Sequence, residues 1–162
     1  MGMTEHLEQR VALVELISRY FAAVDDKRLD LATVEASFAE DGRLVRPNGS
    51  AMVGPQEILA GQAESFARFR ATQHVISDHV VDVAGADVAA VRANLIAMHV
   101  WADGQGDPNA LERYFVAGGV LRAQARRTAV GWRLTELQLR NVWRSGAGFE
   151  AMAKTGASGA PA

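Results

Sequence analysis

Thr72-Gln73-His74-Val75-Ile76-Ser77-Asp78-His79-Val80-Val81-Asp82-Val83 is the stretch on which the reading of the fold depends. β-Branched residues crowd it and Ala84-Gly85-Ala86-Asp87 closes it as a turn, so it reads as a β-strand. Side chains alternate along a strand, which puts His74, Ile76, Asp78 and Val80 on one face and Val75, Ser77, His79 and Val81 on the other. An imidazole at the head of a largely apolar face is suited to a dry pocket. Histidine is also the side chain whose ordinary pKa best fits it to move protons near neutrality. His74 is therefore the candidate general base, weighed against a hydrogen-bonded histidine with only a structural job.

Residues 86–101, 110–127 and 130–144 read as three more long strands, joined by connections short enough for antiparallel hairpins. Gly118-Gly119 inside the third long strand predicts a bulge or bend. Gly104-Gln105-Gly106 reads as a hairpin turn.

Upstream the period changes. Leu7, Val11, Val14, Ile17, Phe21 and Val24 recur at helical steps, widened by Leu13, Leu16 and Tyr20, and predict a helix from Thr4 to about Val24. Asp30 is the predicted N-cap of a second helix through Leu31, Val34 and Phe38, broken by Glu40-Asp41-Gly42. A short strand at 43–46 and the segment Ala51-Met52-Val53 follow. Gly54-Pro55 then opens a third helix, with Ile58, Leu59, Gln62, Phe66 and Phe69 on its buried side. Helices first and a meander afterwards predict an α+β fold: three N-terminal helices on the concave face of a strongly bent antiparallel sheet, a cone-shaped barrel closed at one end around an apolar pocket. One domain is expected over residues 1–146, with a disordered tail at 147–162.

The chain has 162 residues, 49% of them hydrophobic, and a net charge of −2, which gives no broad attraction to nucleic acid or anionic membrane. It has no cysteine, so disulfides, thiolate metal sites and a cysteine nucleophile are excluded. No apolar run approaches the roughly 18 residues that span a bilayer, and the N-terminus lacks the pattern of a signal peptide. A cytoplasmic protein acting on a small hydrophobic molecule is the expectation, with no nucleic-acid or membrane partner.

His99 lies on the next long strand, sharing a face with Leu95, Ala97 and Trp101. Register about a turn at Gly85-Ala86 sets residue 97 opposite His74, which makes His99 a diagonal neighbour. Asp25, four residues after Phe21, lies at the edge of the first helix's apolar stripe and can face inward; Asp26 falls nearly opposite and should meet water. A carboxylate beside a histidine fixes its tautomer and raises its basicity. One imidazole could then take a proton next to a carbonyl while the other, or Tyr20, protonates or polarises a departing oxygen, with no cofactor. Tyr20 could equally be a tyrosine at the edge of the core. Phe21, Phe66, Ile76, Asn94, Leu95, Tyr114 and Trp143 are the expected pocket lining. No metal is expected, although Asp25, His74 and His99 also compose a two-His, one-carboxylate set.

In order, Tyr20-Phe21-Ala22-Ala23-Val24-Asp25, Phe38-Ala39-Glu40-Asp41-Gly42, Gly54-Pro55-Gln56-Glu57-Ile58, Thr72-Gln73-His74, Gly131-Trp132-Arg133-Leu134 and Trp143-Arg144-Ser145-Gly146 resemble the SnoaL-like branch of the nuclear-transport-factor-2-like superfamily. That group contains scytalone dehydratase, a bacterial bile-acid dehydratase and lindane dehydrochlorinase. The resemblance covers roughly residues 7–146. It implies a cone-shaped α+β barrel, usually dimeric or trimeric, with a hydrophobic small-molecule pocket. It also implies an Asp–His dyad at Asp25 and His74, a second histidine at His99, and a Tyr–Asp pair at Tyr20 and Asp25. The doubled Asp25-Asp26 and the lack of a tyrosine in Gly118-Gly119-Val120-Leu121 depart from the pattern. The implied activity is that of a cofactor-independent lyase on a hydrophobic cyclic molecule. An isomerase or cyclase using the same residues, or a binding or assembly module without catalysis, are the alternatives.

Overall fold

The computed structural model describes residues 2–148. Three helices, α1 (Met3–Asp25), α2 (Leu31–Ser37) and α3 (Pro55–Phe66), pack on a sheet of β1 (Phe38–Val45), β2 (Ala51–Val53), β3 (Phe69–Ala84), β4 (Val88–Trp101), β5 (Tyr114–Thr128) and β6 (Gly131–Gly146). The predicted α+β class is the observed one. The strand order is β2-β1-β6-β5-β4-β3, with every ladder antiparallel except β1–β6, which is parallel. The sheet is thus mixed rather than wholly antiparallel, and it is open, with β2 and β3 as its edges.

α1 buries Leu13, Ile17, Tyr20, Phe21 and Val24 in one core with Val81 of β3 and inward side chains of β4, β5 and β6. Removing each large aliphatic side chain of this core from water contributes about 1.5–3 kcal/mol. Leu7 and Val11, assigned by periodicity to the stripe, are exposed, while Gln9 is buried. The buried stripe is therefore rotated toward the 9-13-17-20-24 line, because apolar residues flank both sides of it and the period alone does not choose. Asp30 caps α2, its side chain accepting from the Thr33 N–H at 2.8 Å. Pro55 opens α3 as expected.

Glu40-Asp41-Gly42 does not break the chain but lies inside β1, which starts at Phe38. Asp41 holds Arg126 at 2.7 Å, and a Cβ at Gly42 would sit 2.7 Å from the Leu134 carbonyl oxygen. The glycine lets β1 approach β6 closely, a tertiary reason that local turn chemistry does not disclose. Phe69 belongs to β3 rather than to the third helix.

β4 keeps strict alternation, with Ala89, Val91, Ala93, Leu95, Ala97, His99 and Trp101 all facing the core. The pairing of His74 with Ala97 is the expected register. β3 departs from alternation at Asp78, whose φ of 53° marks a bulge where the ladder shifts between Ser77 and Val80. Past the bulge the inward positions are His79 and Val81, so Val80 is 53% exposed and Val81 3%, the reverse of the expected facing. The ladder also shifts at Gly118-Gly119, as expected, with the extra residue, Val142, on β6.

An edge strand leaves backbone groups unpaired. Side chains of α1 and of the turn that follows it cover groups of β3. Arg10 donates to the Val81 carbonyl at 2.6 Å, Asp25 accepts from the His74 backbone N–H at 2.7 Å, and Lys27 donates to the Phe69 carbonyl. This seam positions the site. Ala147, assigned to the tail, is anchored through Tyr114 and Trp101; residues 149–162 of that predicted tail lie outside the described residues. No described helix is long and apolar enough to cross a membrane.

Candidate active site

The last turn of α1 and the first third of β3 bring Asp25 against His74. Asp25 Oδ1 lies 2.6 Å from His74 Nδ1 and Oδ2 accepts the His74 backbone N–H at 2.7 Å. An ionised carboxylate only accepts hydrogen bonds, so Nδ1 carries the proton and Nε2 is left basic. Thr72, two residues earlier on the same strand face, donates its hydroxyl to Oδ1 at 2.9 Å. Burial pushes the Asp25 carboxyl up, but the His74 ring and backbone N–H and the Thr72 hydroxyl outweigh it and hold the group below the usual carboxylate range. Asp26 is exposed and pairs with Arg28 at 2.8 Å, so of the doubled acids only Asp25 meets the histidine.

The imidazole of His74 is nearly enclosed, its side chain 4% exposed. Phe21 packs on it at a ring separation of 4.9 Å and Phe66 meets it at 5.9 Å. The His99 ring stands across it at 5.7 Å, nearly perpendicular. His99 is itself stacked on Phe115 at 4.3 Å and bordered by Phe69 and Phe66. Burial, with the neighbouring His74 adding to it, lowers the His99 pKa to about 3, so this ring is neutral at physiological pH. Its Nδ1 finds no hydrogen-bond partner among the described residues.

A groove of about 630 Å³ reaches the pair, lined by Phe21, Asp25, Thr72, His74 and Ile76 on the inner side and by Met98 and Val100 on the outer face of β4. A second cavity of about 240 Å³, bordered by Val24, Lys27, Leu59 and Gln62, ends on Phe66. Phe66 therefore separates this cavity from the two imidazoles.

Tyr20 is fully buried, with its hydroxyl accepting from Gln62 Nε2 at 2.8 Å and its ring packed on Phe21 and Phe38. Burial pushes its pKa up, so the phenol stays protonated. Leu95 faces inward opposite Ile76. Asn94, Tyr114 and Trp143 do not join the site. Asn94 bonds Asp78 at 2.8 Å, Tyr114 is 45% exposed, and Trp143 lies over Gly118 on the outer face. The reason for Trp143 is the extra β6 residue, which resets alternation past Asn141. Sequence reasoning passed over Thr72, Phe69 and Phe115; the spacing of two between Thr72 and His74 was the available signal for the first. Among the described residues no group of three or more His, Asp or Glu side chains is arranged to hold a metal ion, the Asp25–His74–His99 set included.

The sequence profile of the SnoaL-like domain matches residues 5–138. The chain belongs to the SnoaL-like family. No curated protein matches this SnoaL-like chain. Among solved structures it is similar to a Kribbella flavida protein at 24% identity and a TM-score of 0.79, over 92% of this chain and 99% of the other. It is also similar to a type 3 hexachlorocyclohexane dehydrochlorinase of Novosphingobium barchaimii, at 14% identity and a TM-score of 0.76, over 89% and 93% of the two chains. A candidate scytalone dehydratase of Novosphingobium aromaticivorans matches at 17% identity and a TM-score of 0.75, over 89% and 91%. At these identities the likeness establishes the SnoaL-like fold, not the reaction.

Proposed function

We propose that this SnoaL-like domain is a cofactor-independent lyase that removes a proton and a leaving group from a hydrophobic cyclic molecule. The observation that carries the reading is the 2.6 Å contact between Asp25 and a nearly enclosed His74, with a second, neutral imidazole 5.7 Å away. His74 Nε2 takes the proton from carbon. The C–H electron pair forms the new C=C bond, and the bond to the departing hydroxyl or halide breaks. The imidazolium so formed is held by the Asp25 carboxylate. A departing hydroxyl needs a proton, and the one His74 has just taken is available to it, so water leaves and the base is restored. His99, neutral in this pocket, acts as a hydrogen-bonding group toward the polarised oxygen rather than as a cationic acid. The apolar side chains of Phe21 and Ile76 in the groove suit an apolar ring, and the relatives that act on such molecules support the class.

The neutral state of His99 favours a second reading. With one base and no cationic acid, a proton taken from one carbon could be returned to another, which is isomerisation. Incubating the protein with cyclic hydroxy ketones and chlorinated cyclohexanes in deuterated water separates the two. Elimination gives a product with a new C=C bond and water or chloride released; isomerisation gives a product of unchanged mass apart from exchanged hydrogen. His74→Ala should lower turnover by about 10²–10⁴-fold and also lower the thermal midpoint, because it empties a nearly enclosed site and leaves the Asp25 carboxylate without its ring partner. A folded His74→Ala protein with full activity overturns both readings, and full-strength binding without turnover by the unaltered protein would make it a binding module.

A further inference from the structure

We propose that Thr72 is a positioning residue of the Asp25–His74 pair, its hydroxyl setting both the orientation of the carboxylate and the basicity of the imidazole. The geometry is a shared oxygen. Asp25 Oδ1 accepts the Thr72 hydroxyl at 2.9 Å and the His74 ring N–H at 2.6 Å, while Oδ2 takes the His74 backbone N–H at 2.7 Å. The terminal torsion of an aspartate is soft, so a carboxylate held by one partner can rotate; three donors from one strand edge fix it. Thr72 stands two residues before His74 and so projects from the same face of β3, and in the ladder it lies directly opposite His99. A hydroxyl has a single proton to donate, and here it goes to the oxygen that also serves the ring. Drawing charge from that oxygen weakens its hold on an imidazolium.

The other groups facing His74 do not perform this function. From β4 comes His99, which is neutral; the rings that α3 and β5 bring against the two imidazoles are Phe66 and Phe115. Just past the end of α1, Asp26 is exposed and paired with Arg28, and Lys27 donates to the Phe69 carbonyl. The role in turnover rests on the reading of His74 as the base, whereas the effect on its titration does not.

The test follows the His74 ring by NMR across pH in the unaltered protein, Thr72→Val and Thr72→Ser. Valine keeps the shape and removes the donor; serine keeps the donor. The expected result is a rise of about half a pH unit in the His74 midpoint for Thr72→Val and little change for Thr72→Ser. With a substrate in hand, kcat of Thr72→Val falls about tenfold with KM nearly constant, and the acid limb of the rate profile moves up with the midpoint. An unchanged midpoint in a folded Thr72→Val protein overturns the proposal, as does an equal shift in both variants, which would assign the effect to packing of the methyl group. If Thr72→Val fails to fold, Thr72→Ala is read against Thr72→Ser in the same way. A midpoint that moves as expected in a protein with no lyase or isomerase activity leaves the positioning role standing and removes the proposed function.

Discussion

Asp25 binds His74 twice, at the ring nitrogen and at the backbone N–H, 2.6 and 2.7 Å from its two oxygens. One carboxylate thus closes an open strand edge and orients an imidazole, so the stability of the α1–β3 seam and the proposed chemistry share a residue. Asp25 has a folded pKa below its ordinary value near 3.9. Its contribution to stability is therefore complete above about pH 4 and is lost as pH falls through the lower folded value. Asp25→Asn should be less stable than the unaltered protein at pH 7, with the difference shrinking on acidification, as denaturant melts at several pH values would show. It should also lose at least about a hundredfold in turnover, since the amide cannot hold an imidazolium.

His99 titrates the other way from a histidine with a charged partner. Its folded pKa of about 3 lies below the ordinary value of 6.5, so the unfolded chain binds the proton more readily. The stability linked to it is complete above about pH 6.5 and falls progressively as pH drops toward 3. Between pH 6.5 and 5 this amounts to as much as about 2 kcal/mol. His99→Phe, which cannot be protonated, should show a flatter loss over that interval in chemical melts. Equal slopes for the two proteins would mean that the buried ring is protonated more easily than its surroundings imply.

Tyr20 is a candidate polariser by spacing, yet its hydroxyl is engaged by Gln62 in the core. Tyr20→Phe leaves the buried Gln62 amide without this partner and should cost about 1–3 kcal/mol of stability. If the residue acts only through packing, kcat stays within about twofold, well short of the 10²–10⁴-fold typical of a proton-transferring group. A hundredfold loss of kcat in a stably folded Tyr20→Phe protein would restore it to the chemistry.

The bulge at Asp78 makes a prediction that strand alternation would invert. Val81 is buried and Val80 exposed. Val81→Ala should destabilise the protein by about 1–3 kcal/mol and Val80→Ala by less than about 0.5 kcal/mol, measured by thermal or denaturant unfolding. The opposite order would place Val80 in the core and remove the bulge.

Much of this protein was legible in the chain. The β-branched stretch from Thr72 to Val83, the turn at Gly85 and the alternation of Leu95, Ala97, His99 and Trp101 set the β3–β4 pairing, since a strand period of two and a short connection leave one register that buries all four. The same arithmetic brought His99 beside His74, and helical spacing turned Asp25 rather than Asp26 inward. Local patterning could not reveal the bulges, the parallel β1–β6 ladder or the burial of Gly42, because each depends on which distant backbone comes close. An added residue in β6 moved Trp143 outward, and one left-handed aspartate exchanged Val80 for Val81. The sequence by itself determined which side chains share a face and which elements form, through interactions a few residues in range. Only the tertiary structure decided that Thr72 and two nitrogens of His74 converge on one carboxylate from α1, because that meeting spans nearly fifty residues of chain and is fixed by how the helix caps the sheet's free edge.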